Sequence, residues 1–130
     1  MANTSIPEDL RRFILTSIPS VPFLEALLLL RADPTQDWRG DTLAARLYVR
    51  EKTAEALLQE LCRAGMAECF DAPAGPAYRF RPDGVALRDR IDRLADLYAS
   101  HLVEVTLLIH STLDRKAQQF ADAFKWRKDA

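Results

Sequence analysis

Five cationic side chains have positions that suggest a chemical role. Arg39, Arg50 and Lys52 lie at the predicted starts of two helices, where free backbone N–H groups and the helix dipole already favour an anion. Arg79 and Arg81 are two residues apart in a predicted strand, so both side chains point to the same face. These five cations predict contacts with phosphate groups.

Polar side chains continue along the segment that follows Arg50. The residues expected on its outer face are Glu51, Lys52, Glu55, Ala56 and Gln59. The candidate binding residues of this segment are Lys52, Thr53, Glu55 and Gln59, where glutamine could pair with adenine and glutamate could accept from cytosine N4. Residues 37–82, however, contain seven basic and seven acidic side chains, so the segment has no net charge to attract phosphate. An alternative therefore stays open, in which the arginines are solvated or pair with neighbouring carboxylates, namely Asp41, Glu51 and Glu55.

Side chains that could perform catalysis or bind metal are sparse. Cys62 and Cys69 are the only cysteines, and His101 and His110 are the only histidines. A zinc site needs about four ligands, and two histidines nine residues apart lie on opposite sides of a helix. With no nucleophile–base pair and no phosphate-binding loop, we expect no metal, no cofactor and no enzyme activity. Cys62 is expected to be an inert thiol.

Length and composition are typical of one globular domain, with room for an added oligomerisation element. The 130 residues are 48% hydrophobic and have a net charge of −1, which is too apolar for disorder. The first residues lack the pattern of a signal peptide, and no apolar run approaches the roughly 20 residues that span a bilayer. We therefore expect a cytoplasmic protein with no membrane partner.

Apolar spacing predicts a mainly α fold of the α+β class, with one two-stranded hairpin. Gly65 is expected to end a helix in the left-handed conformation. Tyr48, Tyr78 and Tyr98 are expected in the core or at an interface. Helices are predicted over residues 8–18, 23–31, 38–49, 51–64, 85–110 and 113–126, and strands over residues 66–70 and 78–81, joined by a turn over 71–77.

The segment from Trp38 to Met66 resembles the winged helix-turn-helix of bacterial transcription regulators. Its motifs are Leu-Ala-x-x-Leu from Leu43, Val-x-x-x-Thr from Val49, and Leu-x-x-Leu-x-x-x-Gly-Met from Leu58. The resemblance covers about residues 36–82, and the flanking helices look like those that dimerise MarR-like and PadR-like regulators. It implies a winged-helix domain over residues 1–84 and a helical dimerisation region over 85–130.

The sequence departs from this family pattern before each helix of the helix-turn-helix. The family usually has serine or threonine there, whereas this chain has Arg39 and Arg50, which cannot accept a hydrogen bond from the helix. A bound phosphate at those helix ends would supply the missing acceptor.

A stripe of apolar residues at steps of three and four runs along the predicted helix over 85–110. Such a helix would be about 40 Å long and would outrun a small core, so its distal half needs a partner. A second copy of the chain, giving a two-fold dimer, is the simplest answer; packing of the stripe on its own domain is the alternative. The expected dimerisation residues are Leu87, Ile91, Leu94, Tyr98, Leu102, Val105 and Ile109, with Phe120 and Phe124 from the last helix.

Two functions follow from these expectations. The resemblance implies a homodimeric regulator of transcription, most simply a repressor, whose second helix of the helix-turn-helix enters the major groove of double-stranded DNA. The alternative is a winged-helix module that binds another protein through its acidic helix or its C-terminal tail. That tail, residues 113–130, contains five basic and three acidic side chains.

Overall fold

The computed structural model describes the backbone of residues 6–129 and the side chains of residues 6–111 and 118–121. It consists of helices with a single two-stranded antiparallel sheet, which confirms the predicted fold class. The elements are α1 (Glu8–Ser17), α2 (Val21–Ala32), α3 (Gly40–Leu47), α4 (Glu51–Arg63), β1 (Ala67–Ala72), β2 (Gly75–Phe80), α5 (Val85–Ser100) and α6 (Leu102–Asp129).

Helix α2 is the centre of the core. Its residues are apolar on most sides, and it contacts α3, α4 and β2; Leu24, Leu27 and Leu30 are fully buried. The helix starts sharply because the Ser20 hydroxyl accepts a hydrogen bond from the backbone N–H of Phe23 at 3.2 Å. The fully buried stripe fixes α2 as the element against which the helix-turn-helix packs.

Helices α3 and α4 form the helix-turn-helix and pack against each other. Helix α4 buries Ala54, Leu57, Leu58 and Leu61 on one face, as its apolar spacing predicts. It ends before Gly65, whose φ of +76° is the left-handed conformation expected there. Its opposite face is therefore left free to contact a ligand.

The hairpin is longer, and its turn tighter, than the sequence predicts. Strands β1 and β2 pair from Ala67 opposite Phe80 to Ala72 opposite Gly75, so only two residues form the turn instead of seven. Pro76 pairs within β2, because a strand at the edge of a ribbon tolerates a residue without an N–H group.

Trp38 belongs to the sheet and not to a helix. Its backbone exchanges two hydrogen bonds of 2.7 Å with Tyr78 of β2. Helix α3 consequently begins only at Gly40, and the predicted helix over 38–49 is too long at its N-terminal end. This pairing anchors the wing to the segment that leads into the helix-turn-helix.

The predicted helix over 85–110 is wrong in its extent. Helix α5 ends at Ser100, and α6 then runs without a break through residues 111–113, where the sequence predicts a boundary. At the break, the Ser100 hydroxyl lies 3.2 Å from the carbonyl oxygen of Asp96 and 2.8 Å from Nδ1 of His101. Such local bonds compete with the helical backbone pattern. Helix α1 packs against both α5 and α6.

The break changes the expected role of the apolar stripe. Ile91, Leu94, Val105 and Ile109 are fully buried within the chain itself, because the bent helix pair folds them into the core. These four side chains pack inside the chain's own core and have no surface left for a partner. The expectation that they form a dimer interface is therefore wrong.

Within the described residues, no single helix is long and apolar enough to cross a membrane. Helices α1 and α2 reach that length and composition only as a pair, and the pair bends by 108°.

Candidate nucleic-acid interface

The outer face of α4 is the most polar exposed surface of the helix-turn-helix. Lys52, Thr53, Glu55 and Gln59 are all exposed, as the sequence predicts, together with Arg50 just before the helix. Lys52, Thr53 and Glu55 lie in the first two turns and Gln59 at the start of the third, and the N-terminal part of a recognition helix reaches base edges in the major groove. The arrangement can therefore present cations, amides and carboxylates to a ligand along one line.

The backbone N–H groups at the N-terminal ends of α3 and α4 differ in their hydrogen bonding. At α3, the hydroxyl of Thr42 accepts a hydrogen bond of 2.8 Å from the backbone N–H of Arg39. At α4, no side chain accepts from the first turn, and the preceding residue is Arg50. The free N–H groups of α4, the helix dipole and the exposed Arg50 guanidinium together favour an anion at this end.

Between α3, α4 and the wing lies a depression of about 430 Å³ that is more acidic than the sequence suggests. Its walls include Asp41, Glu51 and Glu55, with Arg39 as the one cation among them. The side chain of Glu55 lies directly over Gly40, at the N-terminus of α3, where any larger residue would collide with its Cγ atom. Glu55 therefore lies close against the start of α3, a contact that the sequence analysis missed.

The two wing arginines, expected to contact phosphate, are each paired with a carboxylate. Arg79 Nε lies 3.0 Å from Oδ1 of Asp37, and Arg81 Nη1 lies 3.2 Å from Oε1 of Glu68. The Arg79 guanidinium also lies 4.9 Å from the centre of the Phe70 ring. Paired arginines are the alternative left open above, although with partners other than Asp41, Glu51 and Glu55.

Arg39, Arg50 and Lys52 form no ion pair within the described part of the chain. The structure therefore divides the five predicted phosphate-binding cations into a paired set on the wing and an unpaired set at the two helix starts. Of the unpaired set, Arg39 lines the acidic depression.

Tyr48 is one of the three tyrosines expected in the core or at an interface, and the structure places it outside the core. Its side chain is 93% exposed in the turn between α3 and α4. Tyr78, in contrast, is buried, and Tyr98 is half-buried with its hydroxyl donating to Glu25 at 3.1 Å. The short connection between the two helices was the available signal, because a turn that tight leaves a central side chain no space inside.

Of the two thiols, that of Cys62 is partly buried and that of Cys69 is exposed. Cys62 faces β1 from the last turn of α4, and burial raises the pKa of its thiol, which keeps it protonated at neutral pH. Burial also raises the pKa of the Tyr78 phenol, with Cys69 as a close neighbour. The description of Cys62 as an unreactive thiol agrees with this environment.

A second exposed surface lies on α6, away from α4. Leu102, Val103 and Leu107 are 53%, 62% and 62% exposed, and Phe120, further along, is 73% exposed. Leu102 and Phe120 belong to the residues expected at a dimer interface, and Leu87 and Tyr98 are half-buried. The side chain of Phe124 lies outside the described residues.

Comparisons with known proteins agree with this architecture. No protein-family model and no curated protein matches the chain. Among solved structures, a point mutant of MepR from S. aureus bound to an oligodeoxyribonucleotide is 15% identical over 94% of this chain and 87% of that one, with a TM-score of 0.52. The PcaV transcriptional regulator from Streptomyces coelicolor is 19% identical over 89% and 87%, with a TM-score of 0.50.

A third similar structure is a winged helix-turn-helix domain. It is the homodimeric DNA-binding domain of Mb0332 from Mycobacterium bovis, a possible ArsR-family transcriptional regulator. It is 20% identical over 80% of this chain and 95% of that one, with a TM-score of 0.54. These likenesses show that the chain has a winged helix-turn-helix fold.

Proposed function

We propose that this protein is a DNA-binding regulator of transcription that inserts α4 into the major groove of double-stranded DNA. The observation that supports this most directly is the exposed first half of α4, with Arg50 and Lys52 unpaired at its start. A similar fold has been solved with an oligodeoxyribonucleotide in the case of MepR. The proposed activity would place the protein in the cytoplasm, with the DNA.

The exposed residues divide by chemistry into two groups. Arg39, Arg50 and Lys52 would contact phosphates, which position a protein on the duplex without reading its sequence. Thr53 and Gln59 would contact base edges, and Gln59 could form the paired hydrogen bonds that recognise adenine. Glu55 would act at the floor of the groove beside Gly40, where it can accept from a cytosine amino group.

We further propose that two copies of the chain dimerise through residues 85–130. The exposed apolar residues of α6, including Leu102 and Phe120, would form part of that interface, because the residues nearer the core are already buried. A two-fold dimer places two recognition helices about 34 Å apart, one turn of DNA. Repression by blocking polymerase is the simplest action of such a dimer at a promoter.

The alternative is a module that binds a basic protein segment, and the acidic depression favours it. Asp41, Glu51 and Glu55 line a concave surface that repels phosphates and attracts lysine or arginine side chains. In this case a basic protein segment would bind the same face, and double-stranded DNA would not compete with it.

Fluorescence anisotropy with a generic 30-base-pair duplex, titrated from low to physiological salt, tests the proposal. We expect binding that weakens linearly when the logarithms of affinity and salt concentration are compared. The double variant Arg50→Glu with Lys52→Glu should abolish it, whereas Arg12→Glu on the exposed face of α1 should have a small effect. Absence of binding by the wild-type protein at low salt would contradict the proposed DNA binding and favour the protein-binding alternative.

A further inference from the structure

Tyr48 has a backbone conformation that its residue type does not favour. Among residues 6–129 it is the one non-glycine residue with a positive φ, at φ +58° and ψ +45°. This left-handed region brings the Cβ of an L residue close to the following carbonyl oxygen, so glycine or asparagine is usual there. The turn needs the conformation, because the N–H groups of Tyr48 and Val49 both bond to the carbonyl of Ala44.

The tyrosine ring itself contributes nothing visible to the fold. Its side chain is 93% exposed, and within the described part of the chain its hydroxyl has no hydrogen-bond partner. Backbone strain of this kind clusters at functional sites. The exposed ring is available to a ligand.

The surroundings of Tyr48 identify the chemistry of that ligand. Two and four residues later come Arg50 and Lys52, both exposed and unpaired, at a helix start with no side-chain cap. The wing arginines, in contrast, are engaged by Asp37 and Glu68. The turn thus presents a phenol next to the available positive charge, which is an arrangement suited to a polyanion with oxygen acceptors.

We propose that Tyr48 is a DNA-backbone contact residue whose hydroxyl donates a hydrogen bond to a phosphate oxygen beside those held by Arg50 and Lys52. This inference rests on the proposed DNA-binding function. Tyrosine is among the side chains that donate to phosphates, and its ring has only two torsions to immobilise. The turn between α3 and α4, and not the wing, would then anchor the helix-turn-helix on the duplex.

Two variants separate a ligand-binding role from a structural one. Tyr48→Phe removes only the hydroxyl, so we expect the affinity for the 30-base-pair duplex to fall at least about tenfold, the size of one lost hydrogen bond to a charged group, with no change in the unfolding midpoint. Tyr48→Asn should weaken binding equally while raising the unfolding midpoint by about 2–5 °C, because asparagine tolerates the left-handed conformation. Arg12→Gln on α1 is the matched control for binding.

The results of these measurements separate failure of the Tyr48 inference from failure of the proposed DNA-binding function. If the wild-type protein does not bind the duplex at low salt, the proposed function and this inference both fail. If the wild type binds and Tyr48→Phe binds equally well, the inference alone is overturned. A lower unfolding midpoint in Tyr48→Asn would show that the ring supports the fold, which would also overturn it.

Discussion

Arg79 on the wing and Asp37 before the helix-turn-helix form an ion pair across 42 residues of sequence, with Nε and Oδ1 3.0 Å apart. The backbone pairing of Trp38 with Tyr78 places them side by side, because each is the neighbour of one of the bridged residues. The Asp37 carboxylate therefore neutralises the charge of the Arg79 guanidinium. In the proposed complex, Asp37 lowers the contribution of the wing to DNA affinity.

Asp37→Asn is expected to release Arg79 and to strengthen binding to a generic duplex. At low salt the affinity should rise severalfold, and the slope of log affinity against log salt should become steeper by about 0.9, the value for one added phosphate contact. Stability should change little, since exposed ion pairs contribute about 0–1 kcal/mol. Asp33→Asn removes an exposed carboxylate that forms no described ion pair, and anisotropy titrations should show a smaller change for it. Equal slopes for the two variants would contradict the prediction.

Gly40→Ala is expected to destabilise the fold by about 1–3 kcal/mol, the usual cost of forcing an extra methyl group into a packed site. The added Cβ would collide with Cγ of Glu55, which lies over the start of α3. Urea denaturation of the single variants and of Gly40→Ala in a Glu55→Ala background measures the effect. The alanine at position 40 should cost much less once the Glu55 side chain is gone, and an unchanged cost would show that the collision is not its cause.

Acid should remove a contact between α1 and α5. The Arg93 guanidinium donates to the Asp9 carboxylate at 2.6 and 3.1 Å, and this hydrogen bonding holds the pKa of Asp9 below its ordinary value of 3.8. A carboxyl group whose pKa is lowered by folding stabilises the folded state above its unfolded pKa, and this contribution disappears as the pH falls through the folded pKa.

The wild type should therefore be more stable than Arg93→Gln at pH 6, and the difference should shrink below about pH 4. Arg90→Gln, which removes an exposed arginine outside any described ion pair of α5, should show no such pH dependence. Thermal unfolding of the three proteins between pH 2.5 and pH 7 checks this. A difference that persists at pH 2.5 would contradict the assignment.

Dimerisation and folding should respond to different parts of the apolar stripe. Replacing Val103 and Leu107, one turn apart on α6 and each 62% exposed, by serine should raise the dimer dissociation constant at least about tenfold with little loss of monomer stability. Ile91→Ala should instead lower the free energy of unfolding by about 2–5 kcal/mol, because Ile91 is fully buried. Sedimentation velocity and urea denaturation separate the two effects, with Glu104→Gln as the control on α6. An unchanged sedimentation profile for the serine variant would rule out this face as the interface.

The sequence by itself determined the features that depend on neighbours within a few residues. Apolar residues at steps of three and four predicted α4 and the direction of its outer face, including the exposure of Lys52 and Gln59. Gly65 was predicted in the left-handed conformation because only glycine adopts it without strain. The order of helices, hairpin and helices was enough to predict the winged-helix fold.

Tertiary structure alone decided the features that depend on distant segments. The same spacing of three and four is satisfied whether a stripe faces its own core or a partner, so only the break at His101 showed that Val105 and Ile109 turn inward. The charge of the wing likewise depended on Asp37, which is brought to Arg79 by a backbone pairing that leaves no periodic signal in the sequence. Local patterns specify which elements form, whereas packing and long-range pairing specify which of their side chains are free to bind.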